Sequence, residues 1–141
     1  MVSRRILAVD DNPLMLDVYE AVFGKAGYEV TTASDGLQAL QRLEQDTQSP
    51  DLVLLDIHMP RMTGWELLET MRGRVEWQDV PVIMVSALVE PSAAEQDSLP
   101  VFQCYATKQT TGAELVALAE QVLDGTYSQQ PECRRRRAAS G

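Results

Sequence analysis

Cysteine and histidine are scarce in this sequence, with two cysteines and one histidine among 141 residues. Cys104 and Cys133 are too few for the disulfide framework of a small secreted domain and form no CxxC motif, so a reducing compartment is expected. His58 is the single histidine, which excludes a metal site built from several histidines. Any metal site in this chain must therefore rely mainly on other ligands.

Long apolar runs are also missing. No run approaches the roughly 20 residues that an apolar helix needs to span a bilayer. The N-terminus, MVSRRILAVDD, lacks the extended apolar stretch and the small-residue cleavage site of a secretory signal. These absences predict a cytoplasmic chain with no membrane segment.

Basic residues are few, with 12 Lys and Arg against 21 Asp and Glu and a formal net charge of −9. Four of the 12 are the arginines at 134–137, so the first 130 residues carry 8 basic and 20 acidic side chains. A body that binds nucleic acid shows the opposite balance. No direct DNA binding by the body of the chain is therefore expected.

Apolar runs and helical patterns alternate along the chain. Short apolar runs predict strands at 6–9, 52–55, 82–85 and 101–105, and the alternation of residues 28–32 predicts a half-exposed strand there. Because most of these runs are continuously apolar, the strands should be buried on both faces of a parallel sheet. The predicted fold class is α/β, a flavodoxin-like doubly wound five-stranded sheet of order 2-1-3-4-5 with helices on both faces.

Helix signals lie between these strands. Asn12-Pro13 supplies a cap and a first helical residue, after which apolar residues recur at helical spacing, namely Met15, Val18, Tyr19, Val22 and Ala26. Further helices should begin near Ser34 or Asp35, at Thr63-Gly64, and at a capping box formed by Thr111 and Glu114. The segment LVEPSAAEQDSLP, residues 88–100, has a thin apolar pattern between prolines and predicts a weak or short fourth helix.

Polar residues follow four of the five strands: Asp10 and Asp11, then Asp56, Ser86 and Lys108. The carboxyl ends of parallel strands meet at one edge of the sheet, where ligands bind at a topological switch point. Clustered carboxylates repel, and a hard cation such as Mg²⁺, which accepts one or two carboxylates together with phosphoryl oxygens, removes the conflict. A magnesium site that receives a phosphoryl group is therefore predicted at this edge.

These residues resemble a bacterial two-component response-regulator receiver domain of the single-domain, chemotaxis-regulator-like type. The resemblance covers residues 4–124 and depends on VDDNP, on LLDIHMPRMTG around Asp56, on Ser86-Ala87, and on Tyr105-x-x-Lys108. It implies that Asp56 is the phosphoacceptor, which attacks a phosphohistidine to form an aspartyl phosphate. The domain would then be no separate enzyme, but would catalyse its own phosphorylation and slow dephosphorylation.

The resemblance also implies roles for the neighbouring residues. Asp11, Asp56 and the backbone carbonyl of His58 would bind Mg²⁺ directly, and Asp10 would act largely through water. Lys108 would pair with the phosphoryl group. Ser86 would hydrogen-bond the phosphoryl group and move on activation, with Tyr105 turning inward behind it.

The same resemblance implies protein partners: a sensor histidine kinase or phosphotransfer protein, a downstream protein target, and a homodimer through segment 88–124. The receiver domain is expected at residues 1–125, followed by a polar, arginine-rich tail at 126–141 that is predicted to be disordered. The family usually follows its lysine with proline, whereas Gln109 stands here. The Lys108–Gln109 peptide is therefore expected to be trans, because a cis bond without proline costs about 2.5–4 kcal/mol.

Three other readings have weaker support. A flavodoxin-like FMN binder would need a Ser/Thr/Gly-rich phosphate loop after the first strand, where this chain has the acidic DDNP. An aspartyl-phosphate phosphatase would carry a D-x-D strand end, which Asp56-Ile57-His58 does not match. A pseudo-receiver that only binds partners would normally have lost an acidic residue or the lysine.

Overall fold

The structure is a computed structural model that describes residues 4–87 and 100–126. The five strands are β1 (Arg5–Val9), β2 (Glu29–Ala33), β3 (Leu52–Asp56), β4 (Val82–Ser86) and β5 (Cys104–Thr107). The four helices of the described part are α1 (Pro13–Lys25), α2 (Gly36–Gln45), α3 (Gly64–Arg72) and α4 (Gly112–Asp124).

The strands form one parallel sheet of order β2-β1-β3-β4-β5. This order confirms the predicted doubly wound, flavodoxin-like fold. The strand order reverses at β1, which pairs with both β2 and β3, and the chain crosses from one side of the sheet to the other there. The carboxyl ends of β1 and β3 are therefore neighbours, as the position of a switch-point site requires.

Helices cover both faces of the sheet, and each face has its own core. On one face, α1 and α4 pack their buried residues against the sheet, including Tyr19, Phe23 and Leu118. On the other face, α2 and α3 do the same, with Leu43 and Leu67 among the buried residues. None of the helices in the described ranges has the length and apolar character to cross a membrane.

The helix starts follow the predicted capping chemistry. Asn12 caps α1 through its side chain, with Pro13 at the first helical position. Asp35 caps α2, and the capping box of Thr111 and Glu114 is formed at the start of α4. Each cap fixes where a helix leaves the carboxyl edge of the sheet, which places the residues between strand and helix at that edge.

Four sequence expectations need correction or stay open. The buried face of α1 is Leu16, Tyr19 and Phe23, whereas Val18, expected on the apolar face, is 46% exposed. β5 begins at Cys104, three residues later than predicted. The predictions for a short helix over 88–100 and a tail over 126–141 fall almost wholly outside the described residues and stay predictions.

Candidate functional site

The strand register brings the predicted site residues to one edge. Val9 pairs with Leu55, so Asp10 and Asp56, which follow them, lie side by side. Asp56 in turn pairs with Val85, and Ser86 pairs with Thr107, which precedes Lys108. Residues separated by up to 98 positions in the sequence thus meet because parallel strands end at a common edge.

Three carboxylates form the centre of the site. Asp10, Asp11 and Asp56 each offer an oxygen atom, and these oxygens all lie within 4.8 Å of one another. Asp10 and Asp56 are buried, with Asp56 only 3% exposed, whereas Asp11 reaches solvent. Oxygen ligands at this spacing, with one side open to water, fit a hard divalent cation such as Mg²⁺ that keeps several of its waters.

Lys108 supplies the positive charge nearest to this cluster in the described part of the chain. Its Nζ lies 2.7 Å from Asp10 Oδ2 and 3.4 Å from Asp56 Oδ2. Its backbone N–H donates to the carbonyl of Ser86 at 2.9 Å, which extends the β4–β5 ladder and fixes where the side chain leaves the strand. The Lys108–Gln109 peptide is trans, since the described residues contain no cis peptide bond, and this confirms the expectation from Gln109.

The charge balance around Asp56 changes its acidity. Burial and the neighbouring Asp10 carboxylate raise the pKa of Asp56 from 3.8 to about 6, although Lys108 and the backbone N–H of His58 act in the opposite direction. Removing water from a carboxylate and placing a second one beside it both disfavour the charged form. The site therefore has a shortage of positive charge at neutral pH, which an added cation would relieve.

The alternation of side chains along the strands divides the site between the two faces of the sheet. Ala8, Leu54 and Ala106 pack in the core on the α1 side of the sheet. Each of the site residues Asp10, Asp56 and Lys108 comes two positions after one of them, so it continues on the same side. Ser86 continues the series of Met84, in the core on the α3 side. A group bound to Asp56 therefore has the Lys108 ammonium on one side and the buried Ser86 on the other.

The loop from Asp56 to α3 is held in place at both ends. The N–H of Gly64 donates to the carbonyl of Ile57 at 2.9 Å, and the N–H of His58 points at Asp56 Oδ1 from 3.4 Å. Arg61 adopts a left-handed conformation, with φ of 69°, and its Nη2 donates to Asp35 Oδ2 at 2.8 Å. This ion pair fastens the loop that carries His58 to the start of α2.

Tyr105 lies away from the carboxylates, in the core on the α3 side. Its side chain is 4% exposed, and its ring centroid is 6.4 Å from that of Phe102. The inward position that the sequence assigns to an activated state is thus the position that Tyr105 occupies in this structure. Its role as a switch, together with that of Ser86, stays a prediction.

Sequence reasoning overlooked two residues around the site. Tyr19 was placed on the packing face of α1, yet its hydroxyl lies close enough for the charges of Asp10 and Asp56 to raise its pKa, together with the effect of burial. Arg61 was passed over because a charged loop residue gives no periodic signal. A tyrosine among aliphatic residues, eight positions after an acidic pair, was the only available signal for Tyr19.

Comparison with protein families gives a match over most of the chain. The family model described as "Response regulator receiver domain" matches residues 6–120. Among curated proteins, "Two-component response regulator ORR22" of Oryza sativa subsp. indica is 41% identical over 85 residues, which are 60% of this chain and 12% of that protein. "Two-component response regulator ARR11" of Arabidopsis thaliana is 40% identical over 91 residues, 64% of this chain and 17% of that protein. The chain thus spans less than a fifth of the length of these relatives.

Solved structures agree on the fold. The chemotaxis response regulator CheY4 of Vibrio cholerae has a TM-score of 0.78 at 26% identity, covering 86% of this chain and 99% of its own. The receiver domain of sensor histidine kinase PA1611 from Pseudomonas aeruginosa PAO1 has a TM-score of 0.76 at 28% identity, covering 87% and 99%. That domain has a magnesium ion coordinated in its active site cleft. With plant proteins among the curated relatives, a bacterial origin for this chain stays a prediction.

Proposed function

This chain belongs to the response regulator receiver domain family of two-component signalling, and from that premise we propose that Asp56 is its phosphoacceptor. One observation carries the proposal: the buried Asp56 carboxylate, at the end of a central strand, has Lys108 Nζ at 3.4 Å and two further carboxylates around it. An oxygen of Asp56 attacks the phosphorus of a phosphohistidine, the P–N bond breaks, and the imidazole leaves. The result is an aspartyl phosphate, formed with catalysis by the domain itself.

We propose Mg²⁺ as the cofactor of this transfer. Asp11, Asp56 and the backbone carbonyl of His58 would hold it, with Asp10 acting through water. When bound, Mg²⁺ offsets the negative charge that the carboxylates and the incoming phosphoryl group bring together. The fit is supported by the three oxygen donors within 4.8 Å and by the raised pKa of Asp56, which reflects burial and the neighbouring Asp10 carboxylate.

Lys108 and Ser86 bind the transferred group. Lys108 already contacts the Asp56 carboxylate, so a phosphoryl group on Asp56 lies within reach of its ammonium. Ser86, from the opposite face of the sheet, would hydrogen-bond another phosphoryl oxygen. Its displacement is the proposed start of a change that passes to Tyr105 and then to the surface that a partner sees.

The partners follow from the chemistry. The phosphoryl donor is a sensor histidine kinase or a phosphotransfer protein, and the receiver of the signal is a downstream protein target. Leu14 and Val18 are exposed apolar residues on α1, directly after the acidic pair, and give a donor protein an apolar surface beside the site. A homodimer through segment 88–124 stays part of the proposal.

Incubation with a small phosphodonor and Mg²⁺, followed by measurement of intact mass, tests the assignment. The wild-type chain should gain the mass of one phosphoryl group, and Asp56→Asn should gain none. Asp17→Asn, which changes an exposed carboxylate of α1 outside the cluster, is the matched control and should be phosphorylated like wild type. A full gain in Asp56→Asn, or in wild type with excess chelator, would show that another residue or another chemistry accepts the group.

Binding of Mg²⁺ should also raise the melting temperature of the protein at neutral pH. A ligand that binds only the folded state stabilises it by about 2.7 kcal/mol at 100 times its dissociation constant. The rise, measured by thermal unfolding with and without Mg²⁺, should be lost in Asp11→Asn but kept in Asp17→Asn. An equal rise with a monovalent salt of the same ionic strength would mean that screening, and no bound cation, stabilises the cluster.

A further inference from the structure

Tyr19 carries a buried hydroxyl that the phosphorylation chemistry does not use. The residue lies on the inward face of α1 and is 2% exposed. Its Oη has no hydrogen-bond partner among the described residues. Buried hydroxyls in folded proteins nearly always have a partner, either a protein group or an ordered water. A partner for this one must therefore lie in the space that it faces.

That space is a cavity of about 30 Å³ between α1 and α4, next to the functional site. Apolar residues of α1, β4 and α4 form about half of its lining, and its polar lining residues are Tyr19, Thr107, Lys108 and Thr110. A cavity of this volume exceeds the roughly 10–15 Å³ that one water molecule requires. The presence of several polar groups on an otherwise apolar wall is the setting in which buried water is found.

The direction of the side chains supports a connection between Tyr19 and Lys108. Lys108 follows the strand series that packs on the α1 side of the sheet, where Tyr19 also lies. Burial and the charges of Asp10 and Asp56 raise the pKa of Tyr19, so the phenol keeps its proton and stays both a donor and an acceptor.

The Lys108 ammonium has one donor to spare. A lysine ammonium carries three N–H groups. Lys108 donates one to Asp56 Oδ2 at 3.4 Å and forms an ion pair with Asp10 Oδ2 at 2.7 Å. At least one N–H group is left for the cavity, which Lys108 itself lines.

We propose that Tyr19 is a positioning residue for Lys108, acting through one water molecule in this cavity. The water accepts a hydrogen bond from Lys108 Nζ and exchanges a second one with Tyr19 Oη, and Thr110, which also lines the cavity, is a further polar neighbour. The ammonium is then held from three sides, so it is already oriented when a phosphoryl group arrives on Asp56. This inference rests on the proposed function of Asp56 and Lys108, and it adds a residue of α1 that acts on that site through Lys108.

Removing the Tyr19 hydroxyl tests the proposal. Tyr19→Phe keeps the ring and its packing, and the rate of phosphorylation by a small phosphodonor should fall about fivefold, the scale of one neutral hydrogen bond, here the one between Tyr19 and the water. Tyr28→Phe is the matched control, because Tyr28 packs edge-on against Phe23 at the other end of α1 and should leave the rate unchanged. In a Lys108→Ala background, Tyr19→Phe should cause no further loss. An unchanged rate in the wild-type background, or the same loss in both backgrounds, would overturn the proposal.

A crystal structure of the wild-type protein gives a readout that does not depend on activity. We expect a water within hydrogen-bond distance of both Tyr19 Oη and Lys108 Nζ. A hydroxyl bonded directly to a protein group, with no water between it and Lys108, would overturn the inference. If instead the water is present but wild-type Asp56 accepts no phosphoryl group, the proposed function fails while the link between Tyr19 and Lys108 stands.

Discussion

Gly64→Ala should lower the free energy of unfolding markedly and slow phosphorylation by a large factor. A Cβ atom at position 64 would clash with the backbone oxygen of Asp56 and would lie 2.9 Å from Cα of Ile57. Both neighbours are backbone atoms, so no side-chain rotation can relieve the contact. Overpacking of a buried position costs about 1–3 kcal/mol, and the upper part of that range is expected here.

The catalytic effect has the same cause. Relief of the clash must move the start of α3 or the end of β3, and the hydrogen bond from Gly64 N–H to the Ile57 carbonyl ties the two together. A misplacement of about 1 Å can cost on the order of 10²-fold in rate, so phosphorylation should slow by about that factor. Urea unfolding and the phosphorylation time course measure the two effects.

Gly73→Ala is the matched control for this change. A Cβ at position 73 would meet its nearest atoms at 3.6 and 3.7 Å, which is ordinary contact, and the backbone there has φ of −84°. Alanine should therefore be accepted with little change in stability or rate. If Gly64→Ala behaved like Gly73→Ala, the end of β3 would be free to move. The close approach of Gly64 to the backbone of Asp56 would then be unnecessary for stability and for phosphorylation.

Asp56→Asn should stabilise the metal-free protein at pH 8 by roughly 3 kcal/mol and change little at pH 4. The pKa of Asp56 is about 6 in the folded protein, against an ordinary value of 3.8. Between these values the folded state keeps a proton that the unfolded state has lost, so wild-type stability falls as pH rises through this window. A difference of about two pKa units corresponds to roughly 3 kcal/mol, and asparagine, which has no such ionisation, avoids it.

The measurement is urea unfolding of both proteins from pH 4 to pH 8 in the presence of a chelator. Asp35→Asn is a control that should change stability in the opposite direction. The N–H of Gln38 lowers the pKa of Asp35, and the guanidinium of Arg61 adds to this effect. Asp35 contributes stability that is present above its ordinary pKa and is lost as pH falls, so its removal should destabilise at neutral pH. Parallel stability curves for wild type and Asp56→Asn would mean that Asp56 ionises as an exposed carboxyl does.

The strand-end residues of the site could be predicted because their chemistry contrasts with their surroundings. Asp56 after four apolar residues and Asp10 after a similar run are conspicuous, and the rule that parallel strands end at one edge brings them together. The cap residues Asn12 and Thr111 were also predictable, since their signals are local and lie within three residues of what they bond.

The inward face of α1 was harder to predict. Apolar residues occupy Leu14, Met15, Leu16, Val18 and positions beyond, so they surround much of the helix and satisfy more than one helical register. Only the sheet decides which register is buried, and it selects Leu16 and Phe23 while leaving Val18 exposed. The position of Tyr19 beside the carboxylates had the same difficulty, because it depends on how α1 crosses the sheet.

The parallel sheet also determines when the site can exist. All neighbouring strand pairs in the described sheet are parallel, and a parallel pair needs a crossover through a helix or a long connection. During synthesis Asp10 is made first. Asp56 comes to lie next to it only after β3 has paired with β1, and Lys108 joins them only after β5 has paired with β4. A growing or partly refolded chain would then hold the acidic pair without its ammonium. We expect competence to accept a phosphoryl group to appear only with the last strand, so that unfinished copies of the domain do not compete with finished ones for a phosphoryl donor.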